Sequence, residues 1–216
     1  MAFNEDTRVK IPAILHLCRL GYEYLSLEVV KIDPETNIFP DIFIQSIERL
    51  NPDLETDDVK RLLKEIRVKL DNDDLGHAFY KMLTSSSGIR LFDFNNLQNN
   101  SLNVVTELTY RNGDEEFRPD ITLLFNGMPL AFIEVKKPNN REGLLAERNR
   151  INVRFKNKKF KRFINISQLL VFSNNMEYDD DATTPLQGAF YSSTAYNDIT
   201  FNSFREEEQF DLEKLL

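Results

Sequence analysis

Apolar positions recur at helical spacing early in the chain and at strand spacing later. Thr7 to Leu20 places Val9, Ile11, Ile14, Leu15, Leu17 and Cys18 on a helical period, and Gly21 closes it. Pro12 inside that run implies a kink or a delayed start. Leu25 to Ile32 is apolar enough for a strand. Asp41 to Leu50, Asp57 to Leu70 and Asp73 to Leu83 predict three more helices, the second capped by aspartates. Ser85-Ser86-Ser87-Gly88 breaks the pattern. Strands are then predicted over Leu102 to Tyr110, Glu116 to Phe125 and Pro129 to Lys136, with hairpin turns at Asn112-Gly113 and Asn126-Gly127. Lys137-Pro138-Asn139-Asn140 stops the last of them. Glu142 to Phe163 predicts a long basic helix with a break near Asn157, and Ser167 to Ser173 a buried strand. Phe190 to Tyr191 and Ile199 to Phe201 suggest short strands, and Arg205 to Leu216 the start of a helix. This order predicts an α/β (α+β) fold with a mixed central sheet flanked by helices. It is expected to form one domain over 1–216, mainly helical over 1–100, with sheet and basic helix over 101–216.

Three charged residues interrupt the apolar pattern. Asp120 follows Arg118-Pro119, and Glu134-Val135-Lys136 ends the apolar run from Leu130. Buried charges are costly unless paired or bound to metal. Glu134 and Lys136 share a strand face because side chains alternate. A two-residue Asn126-Gly127 turn would put Asp120 on the opposite face. A three-residue loop, Phe125-Asn126-Gly127 with a bulge, would place Asp120 across from Phe132 and on the face of Glu134 and Lys136. A three-residue or bulged turn is therefore expected. Two carboxylates offer hard oxygens to Mg²⁺, which keeps several waters. The ion polarises a phosphodiester oxygen and lowers the pKa of bound water. The lysine can orient that water or take part in proton transfer. The carbonyl of Val135 offers a further ligand. The bland alternative is an ordinary ion pair on a sheet face.

Composition narrows the class. The chain has 216 residues, 41% hydrophobic, with 17 Phe, enough for a real core. No run of 18 apolar residues exists, so no membrane-spanning helix is predicted, and Met1 to Asp6 lacks the regions of a signal peptide. One cysteine, Cys18, allows no internal disulfide, which suits a cytoplasmic protein, and is expected to pack. His16 and His77 read as structural. The net charge is −8, yet Arg141 to Arg162 holds nine Lys or Arg against two Glu. That stretch suits either phosphate binding or a solvated helix face.

The stretch RPDITLLFNGMPLAFIEVKKP closely resembles the nuclease core of the R (restriction and motor) subunits of type I restriction–modification enzymes, within the PD-(D/E)xK nuclease superfamily. NEDTRVKIPAILHLCRLGYEYL is similar to the family's opening Glu-bearing helix, and ISQLLVFSNNMEY to its buried strand. The resemblance is tight from Arg118 to Pro138 and looser outside it. It implies Mg²⁺ carboxylates at Asp120 and Glu134, a catalytic lysine at Lys136, and Glu5 as an accessory group orienting the site or reaching the metal through water. A helix N-terminal carboxylate is an equal reading of Glu5. DNA phosphate contacts are expected from Arg148, Arg150, Arg154, Lys156, Lys158, Lys159, Lys161 and Arg162.

Two departures stand out. The family's Gln and Tyr, four apart on the following helix, are absent; Arg150 and Arg154 stand nearest, with Phe155 beside them. The family's helicase-like motor is also missing, since the chain has no GxxxxGK[ST] and only seven glycines. The expectation is thus a fragment: an endonuclease domain hydrolysing double-stranded DNA with Mg²⁺. ATP would be used by the absent motor, and recognition would lie in modification and specificity subunits. The alternatives are a non-catalytic assembly module docking partner subunits, or another nuclease of the superfamily from repair or type II restriction.

Overall fold

The computed structural model describes residues 5–138, 140, 142–178, 187–193 and 202–203. Its centre is a seven-stranded mixed sheet in the order β1-β2-β5-β6-β7-β8-β9. The strands are β1 (Glu23–Tyr24), β2 (Leu102–Thr106), β5 (Ile121–Phe125), β6 (Met128–Val135), β7 (Leu169–Ser173), β8 (Ala189–Ser192) and β9 (Asn202–Ser203). β1 pairs with β2, and β6 with β7, in parallel; the other neighbours are antiparallel. A separate hairpin joins β3 (Tyr110–Asn112) to β4 (Glu115–Phe117). The expected mixed sheet flanked by helices is therefore present, and the N-terminal part contributes its edge strand. The pair at Phe190 and Tyr191 lies within β8; the strand expected over Ile199 to Phe201 and the helix expected over Arg205 to Leu216 fall outside the described residues.

Helices cover both faces and one end of the sheet. One face, with Val104, Ile121, Leu123, Ala131 and Val135, packs on Val9, Ile14 and Leu17 of the N-terminal helix. The other, with Phe132, Leu170, Phe172 and Phe190, packs on α5 (Gly143–Phe155) and α6 (Lys161–Ile166). At the hairpin end, Met128 and Leu130 join the core of α2 (Pro40–Leu50), α3 (Thr56–Leu70) and α4 (His77–Leu83).

Several elements differ from expectation for local reasons. The first helix is a π-helical turn, Asp6–Lys10, running into α1 (Ile11–Arg19). Pro12 supplies no N–H to the Arg8 carbonyl and its ring crowds it, so the preceding turn widens. The Arg8 carbonyl instead accepts from Asn175 Nδ2 at 3.2 Å, just beyond β7. Cys18 is exposed rather than packed, as is His16, because α1 turns only its Ile14 and Leu17 side to the sheet; His77, at the start of α4, is exposed too. Leu25 to Ile32 is not a strand. Its apolar residues Leu25, Leu27, Val30 and Ile32 pack as a loop on Phe39, Val105 and Leu124. α4 starts at His77, not Asp73, because Leu75 and Gly76 take positive φ (52° and 82°). Leu102 to Tyr110 breaks at Glu107, also at positive φ (58°), and Glu116 to Phe125 breaks at Arg118-Pro119-Asp120. The long basic helix, by contrast, breaks where expected, at Asn157, whose side chain accepts from the Lys159 amide and starts a 3₁₀ turn, Lys158–Phe160.

The β5–β6 turn is strictly two residues, with Asn126 (φ 51°) and Gly127 (φ 79°) both left-handed. The expected three-residue loop is absent. Asn126 is fully buried and makes three side-chain bonds: it accepts from the Ser101 amide at 2.7 Å and donates to Leu91 O and Asn100 Oδ1, both at 2.9 Å. A Cβ on Gly127 would lie 2.8 Å from the backbone of Phe39 and Phe43. Gly127→Ala is therefore expected to destabilise the chain by about 2 kcal/mol or more, from the φ strain and the backbone clash together. Chemical denaturation measures it, and an unchanged midpoint would contradict the close approach.

Candidate active site

The bulge that the turn lacks lies further along the strand. Phe125 pairs with Met128 and Leu124 with Pro129, but Leu123 pairs with Ala131, leaving Leu130 as the extra residue. Pro129 adjoins it: it pairs only with Leu124 of β5, before β7 joins β6 at Ala131, and a proline, which cannot donate to the ladder, is tolerated beside a bulge. Paired residue numbers sum to 253 at the turn and to 254 beyond the bulge. Thr122, not Asp120, therefore faces Phe132. Extended by one step, the register brings Asp120 level with Glu134. The parity is the one that the charged residues needed: Asp120, Glu134 and Lys136 lie on one side of the hairpin, though the device differs from the expected loop.

The site sits at the end of the central sheet. Asp120 Oδ2 accepts from the Val135 amide at 2.9 Å, which pins its carboxylate beside β6. Glu134 is 5% exposed, and its Oε1 has no hydrogen-bond partner. Burial, then repulsion from Asp120 and Glu147, pushes the Glu134 carboxyl up to about 9, while Lys136 pulls it down. Lys136 Nζ lies 3.0 Å from Val135 O, 3.3 Å from Glu147 Oε2 and 3.9 Å from Glu134 Oε2.

The N-terminal helix reaches the same place. Glu5 accepts a hydrogen bond from the Lys137 backbone and lies within electrostatic reach of Lys136 and Asp120; burial raises its carboxyl above the usual range. Lys10 stands 3.9 Å from Asp120 Oδ1 and 3.5 Å from Asp6, and also bonds Glu107. Arg118 Nε closes on Glu107 at 2.8 Å. Lys10 and Glu107 carried no recognisable motif, because their link spans residues far apart in sequence.

The basic stretch divides into two groups. On α5, Arg150 and Arg154 face Glu147 at 2.9 and 3.6 Å, and Arg154 lies over the Phe117 ring. Arg148 is on the same helix. Lys156 and Lys158 follow its end, in the crossover that returns to the start of β7, away from Glu134. There Lys159 pairs with Asp114 and Glu115 at 2.8 Å each, Lys161 with Asp73 at 2.6 Å, and Arg162 with Glu35 and Asp71. Those carboxylates hold the Lys159 and Arg162 cations firmly protonated. Sequence reasoning passed over Glu147; the spacing Glu147, Arg150, Arg154, one face of a helix, was its available signal.

The donor set suits a hard divalent cation. Two carboxylates repel each other, one of them with an orphaned buried oxygen, and a small cation relieves both conditions. Val135 O joins as a ligand only if Lys136 releases it. No cluster of three His, Cys, Asp or Glu with metal-binding geometry occurs among the described residues, so solvent would complete the coordination.

Comparison with known proteins gives the family. The family described as "Type I restriction enzyme R protein N terminus" matches residues 2–183. The chain is 29% identical over 202 residues to a Methanocaldococcus jannaschii protein provisionally named type I restriction enzyme MjaIXP endonuclease subunit, covering 81% of this chain and 19% of that protein. It is 30% identical over 94 residues to the similarly named MjaVIIIP subunit of the same organism, covering 43% of this chain and 9% of that protein. The chain thus spans a fifth or less of the curated relatives it matches. No described helix is long and apolar enough to cross a membrane. With the match covering most of its length, the chain belongs to the family of type I restriction enzyme R protein N termini.

Proposed function

We propose that this chain is the Mg²⁺-dependent endonuclease unit of a type I restriction enzyme R subunit, hydrolysing phosphodiester bonds of double-stranded DNA through a PD-(D/E)xK site. The observation that carries this reading is the convergence of Asp120, Glu134 and Lys136 at one sheet end, in a chain of this family. Asp120 and Glu134 would hold the cation, with Val135 O as a third ligand. When bound, it supplies Lewis-acid stabilisation of phosphoryl charge and a water more easily deprotonated.

The remaining work belongs to the side chains. Lys136 sits within 4 Å of Glu134 and holds or moves a proton at the attacking water. Lys10 orients Asp120 from the N-terminal helix, and Glu5, bonded to the Lys137 backbone, faces Lys136 as the accessory carboxylate. Arg150, 59% exposed at its side chain, is the arginine beside the site best presented to DNA phosphate. Arg154 and Arg148 support it on α5, and Lys156 and Lys158 follow at the start of the crossover; Lys159, Lys161 and Arg162 beyond them are paired with carboxylates and contribute little. ATP-driven translocation and sequence recognition fall to the motor and to modification and specificity subunits, all outside this chain.

The test is DNA cleavage by the complete restriction complex. Lys136→Ala is expected to lower the single-turnover rate at least about 100-fold, the usual contribution of a positioned proton-transfer group, while Mg²⁺ still binds. Cleavage at the wild-type rate would sink the assignment and favour a non-catalytic assembly module.

A further inference from the structure

Glu147 is a buried charge that the proposed chemistry does not use. It lies on α5, 1% exposed, between Leu144 and Ile151, which fill the same core. Taking a carboxylate out of water costs several kcal/mol, so packing alone would favour an apolar residue there. Its surroundings are specific: Lys136 Nζ at 3.3 Å, Arg150 Nη1 at 2.9 Å and Arg154 Nη1 at 3.6 Å.

We infer that Glu147 is the positioning residue for Lys136: it fixes the ammonium beside Glu134 from the opposite element. A lysine on a flexible four-carbon stem resists being fixed, and one acidic neighbour leaves it free to swing. Here the Glu147 carboxylate from the helix and, in the metal-free chain, Val135 O from the strand hold it from two sides, 3.9 Å from Glu134 Oε2. Glu147 is itself flanked by two arginines one and two turns further along α5. Arg154 is wedged against Phe117, its guanidinium 4.2 Å from the ring centre, so the anchor extends into the β3–β4 hairpin. The same carboxylate thereby lines up Lys136, Arg150 and Arg154 as one cationic row next to the Asp120–Glu134 pair.

The kinetic consequence rests on the nuclease reading, whereas the geometric one does not. Glu147→Gln keeps the volume and removes the charge. In the complete complex it is expected to lower kcat for cleavage about 10- to 100-fold, the scale of a reacting group misplaced by about 1 Å, with KM for DNA unchanged. Glu147→Asp, charged but one methylene short, gives an intermediate rate and serves as the comparison should the Gln variant not fold. In Lys136→Gln background the Glu147 change has little further effect, since the two act through one another. A crystal structure of the Glu147→Gln chain shows Lys136 Nζ moved away from Glu134. An additive double variant, or Lys136 unmoved with full cleavage, overturns the inference. If the wild-type complex cleaves nothing, the nuclease reading fails separately, and the position of Lys136 in the variant alone decides.

Discussion

Mg²⁺ or Mn²⁺ titrated into the wild-type chain gives a binding isotherm, and Asp120→Ala and Glu134→Ala each abolish it. The two carboxylates stand beside each other with one oxygen of Glu134 unpartnered, so the cation replaces a repulsion with two attractions. Neither carboxylate can substitute for the other. Asp120 is tied to the Val135 amide and Glu134 is rooted in a central strand. Disturbing only the partners of metal ligands costs about 10- to 100-fold in affinity, so removing a ligand is expected to cost at least about 100-fold. In the complete complex, cleavage falls at least about 10³-fold in both variants, because several kcal/mol of charge stabilisation disappears with the ion. Calorimetry reads the first effect and a plasmid cleavage assay the second. A variant that binds metal like the wild type would remove that carboxylate from the site.

Without metal, the same crowding makes the chain sensitive to pH. Glu134 is pushed up to about 9 in the folded state, from an ordinary value of 4.5. Below pH 4.5 the carboxyl is protonated in both folded and unfolded chains and costs nothing. Between pH 4.5 and 9 the unfolded chain releases the proton while the folded one keeps it, so stability falls as pH rises. Above that window the loss is complete. Glu134→Gln, a permanently neutral mimic, is thus expected to stabilise the metal-free chain at pH 8 and to be neutral at pH 4. One pKa unit corresponds to about 1.4 kcal/mol; with local relaxation the gain at pH 8 is about 2 kcal/mol, or roughly 4–8 °C in Tm for a chain of this size. Thermal unfolding in chelator from pH 4 to 9 reads it. Equal melting at pH 8 would mean that Glu134 is comfortably ionised and that the carboxylate crowding is absent. Mg²⁺ should reverse the order, stabilising the wild type and not the variant.

The sequence by itself determined the parts whose causes are local. The Asn126-Gly127 turn, the apolar runs of β5 and β6, the buried run of β7 and the helices α2 and α3 follow from periodicity, turn chemistry and caps that lie within a few residues of each element. So does the presence of costly charges at Asp120, Glu134 and Lys136, which announced a site before any geometry was available. Tertiary structure decided the rest, because the deciding contacts join distant residues. The pleat allows Asp120 to meet Glu134 only with an odd residue in the hairpin. Local turn rules put that residue in the loop; the structure puts it at Leu130, between Pro129, which pairs only with β5, and Ala131, where β7 joins β6. Glu107 and Asp120 drew Lys10 to the site, and Asn175 took up the carbonyl that Pro12 leaves free. The break of the basic helix at Asn157 was legible locally, but the partners of the cations beyond it were not. Asp71, Asp73, Asp114 and Glu115 claim its distal cations. Glu147 was invisible as a site residue until folding turned α5 back along the sheet, since a carboxylate among arginines on one helix face resembles a solvated surface until its burial is known.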